Sequence, residues 1–229
     1  MKALDLLPLV WVLLTLSVYL LAQRLHKRLK WVVTTPMIGT VTVLMAILLF
    51  LKIDFATYNQ GGRFISFFLG PSVVALGVLF YEKFVEIGHN LKPFLLAVIL
   101  GGLGSIVSVI IILVLLDAPQ ELIRSLAPKS VTTPIAIEIS KSISGVPNIT
   151  AGVVIAVGVL GSTLGIYLLR ALGIRSMTAI GTALGTAAHG IGTARALEEN
   201  RLAGVYSGLA LCVNGLFTAI VLPFIINWI

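Results

Sequence analysis

The chain of 229 residues has few charged residues and a single cysteine, and each scarcity excludes a class of protein. Charged residues make up 11% of the chain, against about 25% in soluble domains, so a soluble globular domain is excluded. The lone Cys212 permits neither an internal disulfide nor a cysteine-based metal cluster within one chain. We expect it to be a small apolar filler on a membrane helix.

Motifs that mark common enzymes are also missing. The sequence contains no G-x-S-x-G, H-E-x-x-H, P-loop or dinucleotide glycine motif. Its three histidines, His26, His89 and His189, lie in different regions, which argues against a metal site. We therefore expect no enzymatic activity, no metal and no cofactor. The net charge of +7 indicates topology and contact with anionic lipid headgroups rather than a nucleic-acid partner.

Long apolar runs dominate the chain, which is 58% hydrophobic. A bilayer-spanning helix needs about 20 apolar residues. The runs without Asp, Glu, Lys or Arg are Leu6 to Gln23, Trp31 to Leu51, Phe64 to Tyr81 (interrupted at Gly70 and Pro71), Pro93 to Leu116, Ser142 to Leu169, Ser176 to Ala194 and Leu202 to Ile229. They predict an all-α integral membrane protein of seven or eight membrane segments, forming a single polytopic domain over residues 1–229.

The distribution of basic residues predicts the topology. The first apolar run precedes the basic cluster 24–30 instead of following one, so it is interpreted as a retained helix and not as a cleaved signal peptide. Because Lys and Arg concentrate in cytoplasmic loops, the N-terminus is expected outside. The polar segment from Lys52 to Arg63 is then expected to be an outside loop, and the segment from Glu82 to Lys92 a cytoplasmic one.

An internal repeat emerges when the sequence is compared with itself at an offset of 57 residues. Glycines and a proline then register together: Pro71 with Pro128, Gly101 with Gly158, and Gly104-Ser105 with Gly161-Ser162. Membrane transporters are commonly built from such duplications around a central site. The offset predicts repeat units 60–117 and 117–174, with coincidence among small residues as the alternative.

Prolines break the stretch APQELIRSLAPKSVTTPIAIEISKSISGVP, which begins at Ala118. Pro119 predicts a short helix that ends near Ala127, because Pro128 disfavours helical geometry in the residue before it. Thr133 as cap and Pro134 at the first helical position predict a second short helix. The result is two half-helices around an unwound centre.

This broken stretch either crosses the bilayer or enters and returns on the same side. Irregular backbone at membrane depth is tolerated only where protein or a watery cavity surrounds it. Gly145 suits the C-terminal cap of the second half-helix. A re-entrant path is slightly favoured, since it leaves the loop with Arg170 and Arg175 in the cytoplasm.

The unwound centre carries a set of residues typical of an anion site. A half-helix N-terminus presents unpaired N–H groups and the positive end of its dipole. Ser130, Thr132 and Thr133 add hydroxyls, and Lys129 adds a full positive charge. These four residues are predicted to bind an anion or a carboxylate. In the alternative interpretation, Lys129 reaches a lipid headgroup and the threonines only cap the helix.

A second polar cluster, GTALGTAAHGIGTARALEE, begins at Gly181. Gly190 and Gly192 predict a helix break beside His189. His189 is a candidate for binding the substrate or relaying a proton, and Arg195 for clamping a carboxylate. A histidine bonded to a carbonyl and an arginine at the membrane interface are the alternatives.

Three further features favour structural roles. Glu138 and Lys141 share a helix face and are expected to pair, although a proton or ion relay through Glu138 is the alternative. Gly181 and Gly185 predict close helix packing. Asn214, alone in the last apolar run, is expected to bond between helices, with a site residue as the alternative.

The segments PKSVTTPIA and AAHGIGTA, within the two polar stretches, give the chain a resemblance to the LrgB/CidB family of bacterial membrane proteins. The resemblance extends over essentially the whole chain. It implies an antiholin-like or holin-like modulator of murein hydrolase activity and autolysis, encoded beside a smaller LrgA or CidA partner. Related proteins include a plastid envelope transporter of glycolate and glycerate, and bacterial pairs are associated with pyruvate.

Two hypotheses follow from the residues and the resemblance together. In the first, the chain transports small 2-oxo or 2-hydroxy carboxylates, which bind at half-helix ends near the membrane midplane. In the second, it controls lysis by oligomerising, with itself or with an LrgA/CidA-type partner. Both place it in the bacterial plasma membrane, in contact with lipid.

Overall fold

The computed structural model describes residues 8–29, 36–68 and 91–228, together with the single residues Pro71, Val78, Tyr81 and Gly88. The chain divides into two compact units, Met1–Val78 and Leu79–Ile229. In the described residues it forms nine helices and no strand. These are α1 (Pro8–Leu29), α2 (Pro36–Phe50), α3 (Phe55–Phe67), α4 (Leu91–Leu115), α5 (Gln120–Leu126), α6 (Thr133–Ser142), α7 (Pro147–Ala171), α8 (Met177–Glu199) and α9 (Arg201–Ile226).

Four of these helices, α1, α4, α7 and α9, are long and apolar enough to cross a bilayer, and α2 is a shorter apolar helix. Large apolar side chains such as Leu100, Leu168 and Phe224 are exposed, as expected where lipid is the solvent. The all-α membrane class predicted from the sequence is confirmed. The predicted run from Phe64 to Tyr81, with its interruption at Gly70, lies largely outside the described residues.

In the first unit, the predicted loop between Lys52 and Arg63 is wrong, because most of it belongs to helix α3. Asp54 caps this helix by accepting from the backbone N–H of Thr57 at 3.2 Å and from its hydroxyl at 2.6 Å. The Thr57 hydroxyl bond lowers the pKa of the Asp54 carboxyl. A Cβ on Gly61 would overlap the Pro8 carbonyl oxygen, so this glycine serves close packing of α3 on α1 and not a turn.

In the second unit, α4 and α9 run in the same direction. The rings of Phe94 and Tyr206 lie 5.7 Å apart near the start of both helices. Two turns further along each helix, Gly102 faces Asn214 so closely that a Cβ there would overlap the amide oxygen. The two contacts are separated by the same number of residues in α4 and in α9, as expected for parallel helices.

Helix α8 doubles back at His189, whose φ of 43° and ψ of −134° interrupt it. A Cβ on Gly181 would overlap the Ala203 carbonyl oxygen, and a Cβ on the neighbouring Gly204 would overlap the Leu197 side chain. Positions 181 and 197 would be roughly 24 Å apart in a straight helix, yet both meet the first turn of α9. The arms 177–188 and 190–199 are therefore antiparallel and form a re-entrant hairpin, which we call hairpin 2.

The apolar run from Ser176 to Ala194 thus enters the membrane region without crossing it. Each arm of hairpin 2 is roughly 15–18 Å long at 1.5 Å per residue, about half of the hydrocarbon thickness of roughly 30 Å. A Cβ on Gly185 would overlap the Ser207 carbonyl oxygen. The first arm is therefore parallel to α9, in close backbone contact at both Gly181 and Gly185, as the glycine spacing predicts.

Helix α7 runs opposite to the first arm of hairpin 2. A Cβ on Gly161 would lie 2.6 Å from Cβ of Ala188, and one on Gly165 would lie 2.8 Å from a methyl of Leu184. The contact partner thus moves four residues back in the first arm when the position moves four residues forward in α7, so the two helices are antiparallel. The ends of α7 and of hairpin 2 meet at an ion pair between Arg170 and Glu199.

Helices α5 and α6, with the turn 127–132 between them, form hairpin 1. A Cβ on Gly215, near the middle of α9, would lie 3.1 Å from Cδ1 of Ile135 at the start of α6. Arg124 of α5, Ser144 after α6 and Asn227 after α9 line one small cavity. Arg124 and the residue that follows α6 therefore lie near the C-terminal end of α9, and the turn lies near its middle. Hairpin 1 re-enters, as the sequence slightly favoured.

Local chemistry explains where the arms of hairpin 1 end. Helix α5 stops at Leu126, near the predicted residue, but α6 begins one residue earlier than predicted, with Thr132 as its N-cap. Gly145 is not the left-handed residue after α6, because Ser144 takes that role with φ 60°. A Cβ on Gly145 would lie 2.5 Å from Ser140 Oγ. Glycine is needed there for close packing.

Three hydroxyls close the base of hairpin 1 onto α7. Thr150 Oγ1 is 2.9 Å from the carbonyl oxygen of Ser125 and 2.8 Å from Ser140 Oγ. Ser125 Oγ in turn accepts from the backbone N–H of Val146 at 2.7 Å. All three side chains are buried, so these bonds have no water to replace them.

We expect Thr150→Val, which keeps the side-chain shape, to lower the apparent unfolding temperature by roughly 3–10 °C. The substitution leaves a buried carbonyl unpaired at a cost of about 1–3 kcal/mol, and 1 kcal/mol corresponds to about 2–4 °C at this size. Ser108→Ala is the control, since Ser108 is exposed and bonds to Ser105 of its own helix. Equal shifts in the two variants, measured by heating the purified protein, would contradict the assignment.

The second unit contains the same arrangement twice in opposite orientation. Hairpin 1 begins at 120 and hairpin 2 at 177, which is 57 residues later. They end at 142 and 199, again 57 residues apart. Each hairpin follows a helix of 25 residues, α4 before hairpin 1 and α7 before hairpin 2. Because α4 is parallel and α7 antiparallel to the first arm of hairpin 2, the two copies are inverted. The predicted units 60–117 and 117–174 stay a prediction, since the first lies partly outside the described residues. The single domain over 1–229 likewise stays a prediction.

Candidate functional site

The tips of the two hairpins meet at Asn214 of α9. Its Nδ2 donates to the carbonyl oxygen of Ser130 in hairpin 1 and to that of Thr186 in hairpin 2, each at 3.1 Å. In a continuous helix the Thr186 carbonyl would accept from Gly190, but the break at His189 makes it available. The expected interhelical bond of Asn214 is confirmed, and this fully buried side chain joins both re-entrant segments.

Lys129 lies in the turn of hairpin 1 and extends to α4. Its Nζ donates to Ser105 Oγ at 2.6 Å, with the Ser105 carbonyl at 3.4 Å. Ser105 Oγ is also 2.6 Å from Ser130 Oγ. Within the described residues, no carboxylate forms an ion pair with Lys129. A lysine at membrane depth costs several kcal/mol unless it is paired or solvated, so Lys129 needs polar partners, and among the described residues Ser105 supplies them.

Sequence reasoning missed Ser105, which joins Lys129 to Ser130. The available signal was a serine in the middle of the most apolar helix, directly after Gly104 at a position that the 57-residue offset matches. A hydroxyl there has no water to bond with, so it either bonds to its own helix, as Ser108 does, or faces another polar group.

The remaining predicted residues of hairpin 1 lie at its turn. Thr132 caps α6 with extended backbone but forms no side-chain capping bond. Thr133 is the first residue of α6, so its N–H has no acceptor within the helix. Pro128 lies in the turn, whereas Pro134 lies in the first helical turn, where its missing N–H needs no partner. The assignment of Thr132 and Thr133 to anion binding stays a prediction.

His189 at the tip of hairpin 2 is anchored to α7. Its Nε2 is 3.0 Å from the Val154 carbonyl oxygen, and since a carbonyl only accepts, Nε2 carries the proton. A Cβ on Gly158 would lie 2.7 Å from Cε1 of the imidazole, so this glycine makes room for the ring. The side chain is 3% exposed. This contact matches the alternative interpretation of His189 as a histidine bonded to a carbonyl. Its roles in substrate binding and in proton relay stay predictions.

The break of hairpin 2 falls at His189 itself and not at the glycines beside it. Its positive φ costs a non-glycine residue about 1–3 kcal/mol, which the bond to α7 offsets. Gly190 has open space around it, whereas a Cβ on Gly192 would overlap the Leu184 carbonyl oxygen. Gly192 thus lets the second arm return close to the first.

Arg195 lies on the second arm, away from the tip. It pairs with Glu198 at 3.2 Å and Glu199 at 3.6 Å, and Glu199 also binds Arg170. Two carboxylates already neutralise this guanidinium near the base of hairpin 2. The structure therefore does not bring Arg195 to Lys129, and its role as a substrate clamp stays a prediction without support from this geometry.

Glu138 and Lys141 pair at 2.7 Å on an exposed face of α6, as their spacing indicated. Exposed pairs of this kind contribute little to stability, about 0–1 kcal/mol. The pair lies beyond the tip, toward the base of hairpin 1, so a relay through Glu138 stays a prediction. Of the predicted site residues, the structure brings together Lys129 and Ser130. Asn214, which was expected to bond between helices, joins them, as do Ser105 and Thr186, which were not predicted.

A cavity of about 540 Å³ extends between α4 and the first arm of hairpin 2 up to Ser105. Its walls consist of small residues at four-residue spacing along both helices, with Tyr206 of α9 beside them. The lining residues are Pro93, Phe94, Ala97, Gly101, Ser105, Thr178, Ala179, Thr182, Ala183, Thr186, Ala187 and Tyr206. The polar cluster at the hairpin tips therefore adjoins an open and mainly apolar space.

Replacement of Asn214 by leucine is expected to loosen both hairpin tips at once. The carbonyls of Ser130 and Thr186 would lose their buried donor, at about 1–3 kcal/mol each. Hydrogen exchange, followed by mass spectrometry, should speed up at 130–133 and at 188–192. Exchange that rises in only one hairpin would show that Asn214 does not connect them, and peptides from α1 provide the internal control.

Comparison with known proteins assigns the chain to a family. The model of the LrgB-like family matches residues 15–228. The chain belongs to the LrgB-like family. It is 34% identical to an uncharacterized protein of Haemophilus influenzae over 96% of this chain and 95% of that protein. It is 34% identical to YwbG of Bacillus subtilis over 94% and 96% of the two chains. The antiholin-like protein LrgB of Bacillus mycoides is 33% identical over 80% of each chain. No solved structure matches the chain.

Proposed function

We propose that this LrgB-like protein is a membrane transporter of small 2-oxo or 2-hydroxy carboxylates, of the pyruvate, glycolate or glycerate type. The observation that supports it most is the ammonium group of Lys129, which has no carboxylate partner among the described residues and lies where the tips of two inverted hairpins meet. A small carboxylate supplies the missing negative charge.

The groups around Lys129 suit such a ligand. A carboxylate accepts hydrogen bonds from the ammonium of Lys129 and from the hydroxyls of Ser105 and Ser130. The N-terminus of α6 adds the positive end of a helix dipole. Inverted repeats with interrupted helices at the midplane are the arrangement in which many transporters alternate access between the two sides. Movement of one hairpin relative to the other opens the site to each side in turn.

Charge distribution supports the proposed orientation in the bacterial plasma membrane. Four basic residues lie at one end of the second unit. One is Lys92 at the start of α4, and the others, near the base of hairpin 2, are Arg170, Arg175 and Arg201. The positive-inside rule favours a cytoplasmic location for this end. Hairpin 1 then enters from the outside, and the proposed outside N-terminus agrees with the charge that follows the first helix.

Uptake of labelled pyruvate and glycolate into proteoliposomes tests the proposal. We expect saturable uptake that unlabelled 2-oxo acids inhibit and that glucose does not. Because the family resemblance includes a small LrgA/CidA-type partner, the assay is run with the chain alone and with that partner. No uptake under either condition rejects transport, and equal leakage of glucose indicates a nonselective pore.

An antiholin-like role in autolysis is the second candidate, because relatives carry the name antiholin-like protein LrgB. It would act through oligomers of this chain or through contact with the small partner. A Cβ on Gly104, Gly152 or Gly190 would meet nothing within 4 Å, so these glycines leave small surfaces open to another helix. Crosslinking of the chain in membranes, with leucine at these positions, tests for such contacts. Unchanged crosslinking in all three variants would reject these surfaces.

A further inference from the structure

We infer that the binding site accepts carboxylates with an apolar tail, such as 2-oxo acids of six to eight carbons, with the head at Lys129 and the tail between α4 and the first arm of hairpin 2. This inference rests on the proposed carboxylate transport and specifies its substrate class. It is carried by the juxtaposition of a cation with an apolar cavity through one shared residue, Ser105.

The size of the cavity exceeds what a three-carbon acid needs. Its volume of about 540 Å³ lies within the range of about 300–1,000 Å³ of pockets that hold larger organic ligands. A small carboxylate at Ser105 leaves most of this space to water or lipid.

The chemistry of the walls selects an apolar tail. Ala97, Ala179 and Ala183 present methyl groups, and Phe94 adds a ring. The threonine hydroxyls at 182 and 186 already donate to carbonyls of their own helix, each at 2.8 Å, so their methyl groups provide the contact. Along these walls the Tyr206 hydroxyl is the one buried side-chain group of the described residues that lacks a hydrogen-bond partner, whereas each methylene that leaves water strengthens binding by about fourfold.

The polar end selects a carboxylate over a neutral lipid chain. Ser105 lines the cavity and accepts from Lys129 Nζ at 2.6 Å. Among the described residues, Lys129 has no carboxylate in ion-pair range. A ligand whose anionic group reaches Ser105 satisfies this cation, while a neutral chain of the same length leaves it as it was.

Equilibrium binding of tritiated 2-oxooctanoate to the full chain in nanodiscs tests the inference, with empty nanodiscs as background. We expect saturable binding that pyruvate displaces and that 2-octanone, the neutral analogue, does not. Binding should be at least tenfold tighter for 2-oxooctanoate than for pyruvate. Displacement by 2-octanone at the same concentration would overturn the inference, because it would show a general apolar crevice.

Ala183→Phe and Ala179→Phe fill the cavity at two depths and separate the two proposals. Both variants should lose 2-oxooctanoate binding at least tenfold and retain pyruvate binding and uptake, which also shows that they fold. Ala171→Phe, at the exposed end of α7, is the matched control. Pyruvate uptake without a preference for longer acids, or 2-oxooctanoate binding unchanged in both variants, overturns the inference alone. No pyruvate uptake in the wild type refutes the proposed transport.

Discussion

Lys129→Met is expected to reduce pyruvate uptake by about 10-fold to 100-fold while the protein remains folded. Methionine keeps the length of the side chain but removes the charge, and a hydrogen bond to a charged group contributes about 1.5–3 kcal/mol. Removal of a buried cation also removes its desolvation cost, so stability should be unchanged or slightly raised. Initial uptake rates in proteoliposomes and the apparent unfolding temperature measure the two effects separately.

Lys141→Met is the matched control for this prediction. Both lysines belong to hairpin 1, but Lys141 is exposed and paired with Glu138, outside the polar cluster at the tip. Its loss should change uptake by less than about twofold, since exposed ion pairs contribute little. Equal reduction in both variants would indicate a general effect of positive charge. Full activity of Lys129→Met would refute the carboxylate site.

Sequence patterns predicted the interruptions of hairpin 1 because proline and glycine act locally. Pro128 restricts the residue before it whatever surrounds the chain, so the end of α5 was predictable. The reversal at His189 was less so. Gly190 and Gly192 indicated a break beside it, but the reversal into two antiparallel arms depends on the bond from His189 to Val154 and on space at Gly158, both of which are tertiary contacts.

The candidate site was predictable in part for the same reason. Lys129 and Ser130 were identifiable, because polar residues in an unwound membrane segment need sheltered partners. Ser105 and Thr186 were not identified, since their roles depend on which helices lie side by side. Arg195 was assigned to the site from its charge alone. Its neutralisation by Glu198 and Glu199 follows from helical spacing, a signal that was present in the sequence.

Gly185→Leu is expected to prevent folding of the second unit, with an effect larger than the typical 1–3 kcal/mol of core overpacking. A Cβ there would overlap the Ser207 carbonyl oxygen and lie 2.8 Å from its Cα. These are backbone atoms of α9, so no rotamer change relieves the clash. Size-exclusion chromatography of the solubilised protein should show loss of the single sharp peak and a yield reduced at least about tenfold.

Gly104→Leu is the control, because a Cβ at Gly104 has nothing within 4 Å and leucine suits a lipid-facing helix. The comparison also tests whether Gly185 contacts another copy of this chain instead of α9. If glycine surfaces mainly join copies of this chain, Gly185→Leu should yield a well-folded monomer and an altered oligomer distribution. Since Gly181 and Gly185 contact α9 of the same chain, we expect aggregation of Gly185→Leu instead. A monodisperse, stable Gly185→Leu protein would contradict the packing of hairpin 2 on α9, and with it the meeting of the hairpin tips at Asn214.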